Sequence, residues 1–255
     1  MSRNIWTQCA ASCKSRRLEL LAFRVVESQH VISTRKLVDS DAEQALLEDL
    51  IDRVKPPVPS EPEFRGLHYL LYTSFRHPPL RYGSRFGTRT ERGIWYGSKE
   101  LPTCFAEVAY YRLLFLEGTA ADLGTLTVEL TAFLSAVRCP KSMDLTRPPF
   151  RAFEAEISSK TSYDASQRLG AEMRAAGVGA FLFVSARAAD RGTNIGLFSP
   201  AFASKRPSRF EAWTCSADRT KVEVSRKSLA QTRVHRLSFP RVQFLVDDQL
   251  PSPAT

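Results

Sequence analysis

Residues Arg76–Arg112 read RHPPLRYGSRFGTRTERGIWYGSKELPTCFAEVAYYR, and the fold class is decided by how this stretch passes from loop to strand to helix. Arg76 to Arg92 is rich in Pro, Gly and Arg, which predicts a structured loop. Gly93-Ile94-Trp95-Tyr96 reads as a short strand closed by Gly97. Pro102 suits the first turn of a helix, which Gly118 ends after Glu117. Phe105, Val108, Ala109, Leu113 and Leu116 give that helix a stripe to bury.

Upstream, residues 1–40 form a weakly patterned arm with no clear period around Arg24–Gln29. Ser40 and Glu43 make a capping box. The helix they open carries Leu46, Leu47, Leu50, Ile51 and Val54 on one face, and Lys55-Pro56-Pro57 stops it. His68-Tyr69-Leu70-Leu71-Tyr72 reads as a strand. Downstream, Leu126, Val128 and Leu130 alternate as a half-buried strand, and residues 140–162 read as mostly irregular. Tyr163 to Ala176 is an amphipathic helix with Leu169 and Met173 inward and Gly177 as its stop. Gly179–Ser185 is a buried strand with a polar end, and Asn194–Phe198 is another. Phe210–Thr214, Val222–Val224 and Val242–Val246 are short β-like runs. Strands and helices mix without a strict βαβ alternation, so the expected class is α+β.

The 43% apolar and 25% charged residues are those of an ordinary globular chain. No apolar run is long enough for a transmembrane helix, and the N-terminus lacks the pattern of a signal peptide or an anchor. Five scattered cysteines with no CxxC pair argue against a disulfide scaffold and for the cytoplasm. Neither they nor the histidines have metal-ligand spacing. The net charge of +9 is compatible with nucleic acid, acidic proteins or a phosphate-bearing small molecule.

The usual phosphate cradles and the Gly-x-Ser-x-Gly elbow are absent. What stands out is the dense block around Arg85, Tyr96 and Glu107. Arg85 sits between glycines, where backbone approaches a ligand closely. Tyr96 ends a strand beside a glycine, so its ring can face a cleft. Glu107 lies at the edge of a buried helix face. A carboxylate, a ring and guanidinium groups around one cleft suit cleavage of a glycosidic bond beside a phosphorylated ribose. The carboxylate stabilises an oxocarbenium-like charge, the ring stacks, and the arginines hold phosphate.

The same segment closely resembles the core of the RES-domain family, named for an arginine, a glutamate and a serine. In that resemblance Arg76 matches the early arginine. Arg85 and Phe86 match the Gly-x-Arg-aromatic element, and Tyr96 and Glu107 match the family's tyrosine and glutamate. Farther on, Val184-Ser185-Ala186 resembles the serine motif, and Asn194 the asparagine that follows it. Ser199 stands where asparagine is usual. The resemblance covers roughly residues 65–205 and implies a fold similar to ADP-ribosyltransferases, with mixed sheets and flanking helices. It implies NAD as substrate, with Arg76, Arg85, Tyr96, Ser185 and Asn194 binding it, and no resident cofactor or metal. It also implies a bacterial toxin–antitoxin setting with an Xre-type antitoxin as partner. The expected organisation is an N-terminal helical extension (1–62), a catalytic domain (63–207) and a β-rich C-terminal extension packed on that domain (208–255).

The leading expectation is cleavage of the nicotinamide–ribose bond of NAD, with water or inorganic phosphate as acceptor. ADP-ribosyl transfer onto a protein is the alternative on the same fold. A nucleic-acid-binding module is a third reading. It rests on the charge alone, since no helix-turn-helix, zinc or interleaved aromatic-basic pattern accompanies it.

Overall fold

The described residues of the computed structural model are 4–28, 37–77, 79, 81–227 and 234–252. His30 and the loop residues Pro78 and Leu80 lie outside them. In chain order the main elements are α1 (Ile5–Cys9), β1 (Arg16–Glu27), α2 (Asp41–Val54), α3 (Tyr69–Arg76), β2 (Trp95–Ser98), α4 (Leu101–Glu117), β3 (Leu126–Asp144), α5 (Glu154–Ile157), α6 (Asp164–Ala175), β4 (Ala180–Val184), β5 (Thr193–Leu197), β6 (Ser208–Ala217), β7 (Lys221–Lys227) and β8 (Val234–Pro240).

The strand that organises the sheet comes from the arm without a period. β1 pairs antiparallel with β3 from Arg16↔Ser142 to Glu27↔Leu130, and with β2 at Phe23↔Ser98. Its apolar residues fall on both faces, Leu20 and Ala22 on one and Leu21 and Phe23 on the other, which erases the alternation of a one-sided strand. The region expected to be a helical extension thus contributes a strand between two helices, α1 and α2. The sheet order is β1-β2-β5-β4-β3-β6-β7-β8, with β1 also paired to β3. Strands β1, β2, β5, β4 and β3 therefore close into a ring, and β6, β7 and β8 continue from the first half of β3, on the edge whose far end takes β4. The β3–β4 pair is parallel and the other pairs are antiparallel, so the sheet is mixed.

The capping box before α2 forms as expected. Glu43 N donates to Ser40 Oγ and Ser40 N donates to Glu43 Oε2, both at 3.2 Å. The apolar stripe of α2 is not covered, however: Leu46, Leu50 and Val54 are exposed. Periodicity reports amphipathy and does not say what lies opposite. Three other expectations are corrected. The run from His68 to Tyr72 enters helix α3, with His68 as its N-cap accepting from Leu70 N, because a short apolar run does not distinguish strand from helix. β3 extends to Asp144 and is followed by a 3-10 turn (Phe150–Phe153) and α5, so residues 140–162 are largely ordered into elements. Residues Arg241–Phe244 form a 3-10 turn, not a strand.

Two packing relations position the site. Helix α4 buries Phe105, Ala109, Tyr110, Leu113 and Leu116 against Leu130, Trp213 and Phe244. Helix α6 sets Leu169 and Met173 into a cluster with Phe86, Phe181 and Phe183. Gly170 lets α6 meet the loop before β2 closely, since a Cβ there would lie 2.0 Å from Phe86 O. The next residue back from Phe86 is Arg85.

Candidate active site

Helix α4 passes its second turn beside the open end of the ring, where Glu107 faces strands β4 and β5. Asn194 on β5 donates from Nδ2 to Glu107 Oε1 at 2.7 Å. Ser185, just past the end of β4, donates from Oγ to the same oxygen at 2.6 Å. No described residue donates to Oε2. The two donors are themselves fixed. Asn194 Oδ1 accepts from Ser98 Oγ at the end of β2. Ser185 Oγ accepts the backbone N–H groups of Arg187 at 3.1 Å and Ala188 at 3.0 Å. A hydroxyl that accepts twice has its single proton aimed at the carboxylate, which orients the serine as a donor.

Glu107 and Asn194 line a cavity of about 740 Å³, together with Arg24, Ser84, Arg85, Tyr96 and others. That volume lies in the range of small-molecule sites. The Tyr96 ring stands edge-on to Phe183. Its hydroxyl pairs with Ser84 Oγ and accepts Phe86 N, each at 3.1 Å. Burial pushes the hydroxyl's pKa up to about 12, so it stays neutral.

Arg85 is more enclosed than its glycine-flanked sequence predicts, at 8% exposure. Its Nη1 donates to Ser159 O at 2.7 Å and approaches Ile157 O at 3.5 Å. Its Cζ lies 4.8 Å from the Tyr163 ring centroid. The arginine therefore anchors the segment between α5 and α6 while also lining the cavity.

Two site expectations change. Arg76 does not line the cavity: on α3, its Nε donates to Pro56 O. The arginine that does reach it from early in the chain is Arg24 of β1. Arg24 Nη1 donates to Tyr96 O at 3.3 Å, and Cζ lies 5.2 Å from the Trp95 ring centroid. Burial lowers its pKa to about 10, which leaves it protonated at neutral pH. The signal in the sequence was a single charge inside an apolar run, Leu20–Val26, in the arm set aside as unpatterned. Ser185 also departs from the expected ligand contact. It is 1% exposed and touches the cavity only through Glu107. Arg112, paired with Glu27, and the rim residues Tyr111 and Phe115 complete the wall on the α4 side.

Among the described residues no group of three or more His, Cys, Asp or Glu could hold a metal ion, and no helix is long and apolar enough to cross a membrane.

The mixed sheet and helix α4 thus bring together a held glutamate, a serine, an asparagine and arginines. The RES domain family model matches residues 61–218. The chain belongs to the RES domain family. No curated protein matches it. Among solved structures, it is similar to a chain of the M. tuberculosis MbcT–MbcA toxin–antitoxin complex at 11% identity, covering 83% of this chain and 91% of that one, with a TM-score of 0.46.

Proposed function

We propose that this protein cleaves the nicotinamide–ribose bond of NAD, by hydrolysis or phosphorolysis, as the toxin of a bacterial type II toxin–antitoxin pair restrained by an Xre-type antitoxin in the cytoplasm. The observation that supports this best is the treatment of Glu107. Among the described residues both of its donors converge on Oε1, and none reaches Oε2 at the wall of the cavity. A carboxylate held at one oxygen and open at the other is set to face a positive charge that develops in a transition state, as an oxocarbenium ion does when nicotinamide departs. Arg24 and Arg85 supply cations for the pyrophosphate, and the Tyr96 ring supplies a flat wall. We read the mixed sheet as ADP-ribosyltransferase-like on the same grounds.

ADP-ribosyl transfer to a protein is the second reading, favoured by one feature. Tyr111 and Phe115 are exposed at the rim, where a protein acceptor would meet apolar surface. Incubating the purified chain with NAD, with and without phosphate, separates these readings. Free ADP-ribose reports hydrolysis, a phosphorylated ADP-ribose reports phosphorolysis, and label on protein reports transfer. If no nicotinamide is released under any of these conditions, the NAD reading is wrong.

A further inference from the structure

Past Ser185 the chain places a guanidinium that the site as described does not use. Arg187 is 2% exposed, and no ion pair to it forms among the described residues. A buried permanent charge without a carboxylate is costly, so its other contacts carry its placement. Its Cζ lies 3.5 Å from the centroid of the Tyr110 ring. Its Nη2 donates to Lys160 O at 3.1 Å, while Nη1 is buried with no hydrogen-bond partner among the described residues. Its backbone N–H is one of those that orient Ser185.

Each contact leads back to the site without entering the cavity. Tyr110 stands three residues after Glu107 on α4, so it shares the face of the next turn. Lys160 belongs to the segment whose Ser159 carbonyl takes Arg85. One guanidinium thus joins the helix of the glutamate to the segment that holds Arg85, and its own backbone reaches the serine.

The far side of this junction is closed from outside the family match. Gln243 Nε2 donates to Arg187 O at 2.9 Å, and Lys160 Nζ donates to Gln243 O at 3.2 Å. Tyr110 OH donates to Pro251 O at 2.5 Å. Gln243 and Pro251 follow residue 218, where the match ends.

We propose that Arg187 is a positioning residue for the Glu107–Ser185 pair, and that the C-terminal segment around Gln243 is the clamp that holds it in place. The kinetic half of this proposal rests on the NAD reading; the structural half does not. Arg187→Met tests the guanidinium directly but risks the fold, so Gln243→Ala is the decisive variant, since Gln243 is only partly buried. In the full-length protein, Gln243→Ala lowers kcat for nicotinamide release roughly tenfold and leaves the KM for NAD within about twofold of wild type. In the ligand-free protein, exchange of the Arg187 and Ala188 amide protons speeds up roughly tenfold, while the β1 and β3 amides keep wild-type protection. If wild type releases no nicotinamide, the NAD reading falls and the exchange measurement alone decides the clamp. The proposal is overturned if the Arg187 and Ala188 amides exchange as in wild type. It is equally overturned if kcat and KM are unchanged in an active protein, or if protection is lost evenly across the sheet, which marks a residue serving stability alone.

Discussion

Ser185 Oγ stands 2.6 Å from Glu107 Oε1 and donates to it, having accepted two backbone N–H groups of its own strand end. The serine is a relay from backbone to carboxylate. Ser185→Ala removes the donor and also leaves the Arg187 and Ala188 N–H groups buried and unpaired. Each unpaired group costs about 1–3 kcal/mol. The variant is expected to unfold at lower denaturant and to release nicotinamide more slowly. A wild-type unfolding midpoint would show that water or a neighbour takes over those N–H groups.

Glu107→Gln keeps an oxygen for both donors and removes the charge. The expected result is a fall in rate of about 10²–10³, the usual cost of losing one electrostatic stabiliser, with melting close to wild type. Single-turnover nicotinamide release with circular dichroism on the same samples checks both parts. A folded variant that turns over NAD at the wild-type rate removes Glu107 from the chemistry.

Arg85 is expected to show two effects. Arg85→Ala frees Ser159 O and uncovers Tyr163, so stability falls along with NAD affinity. Arg85→Lys retains the charge but not the planar fork, and its losses are smaller in both measurements. Titration calorimetry with NAD on the inactive Glu107→Gln background, with thermal melts alongside, reads the two separately. Equal NAD affinity for wild type and Arg85→Ala would make this arginine a purely structural anchor.

Much of the site was legible because its residues are local. Arg85, Tyr96 and Glu107 lie within one short stretch, and the elements between them follow strong punctuation: Gly83, Gly97, Pro102, Gly118. The partners of Glu107 required long closures. Asn194 lies on a strand and Ser185 just past the end of another, the pairing of which no local pattern dictates, and only the motif resemblance pointed to them. Arg24, the early arginine that lines the cavity, went unread for a related reason. β1 has apolar side chains on both faces, so its period vanished, and the arm appeared to lack a strand. The strand expected at His68–Tyr72 failed in the opposite sense: apolar residues were present, but Leu70, Leu71 and Phe75 bury as a helix face.

Cys104 lines the cavity, yet its thiol is expected to be inert. Burial pushes its pKa up to about 12, and its Sγ lies 3.2 Å from Phe23 O. At pH 8 the thiolate is scarce, so iodoacetamide should label this residue only after unfolding. The raised value also sets a sign. The folded state holds the proton more tightly than the unfolded chain, so this contribution to stability is complete below about pH 9 and is lost as pH rises toward 12. The Tyr96 and Tyr110 hydroxyls, also pushed up by burial to about 12, add to the same alkaline loss. Unfolding midpoints that stay flat between pH 9 and 12 would contradict the burial of these groups.

The proposed antitoxin is expected to act at the cavity itself. Guanidinium groups that take phosphate also take carboxylate, so an acidic segment or a chain-terminal carboxylate suits Arg24 and Arg85. Antitoxin binding to the Glu107→Gln protein should weaken in saturating NAD and weaken again with Arg85→Ala. Affinity that ignores both changes would place inhibition elsewhere.

The closure of β1 onto both β2 and β3 has a consequence for anyone who would isolate the recognisable segment. Residues 61–218 carry β2 and β3 but not the strand between them. Cut there, the chain would present bare strand edges, which pair readily with other copies. The stretch that sequence comparison delimits and the body that closes its own ring of strands are different lengths of the same polypeptide.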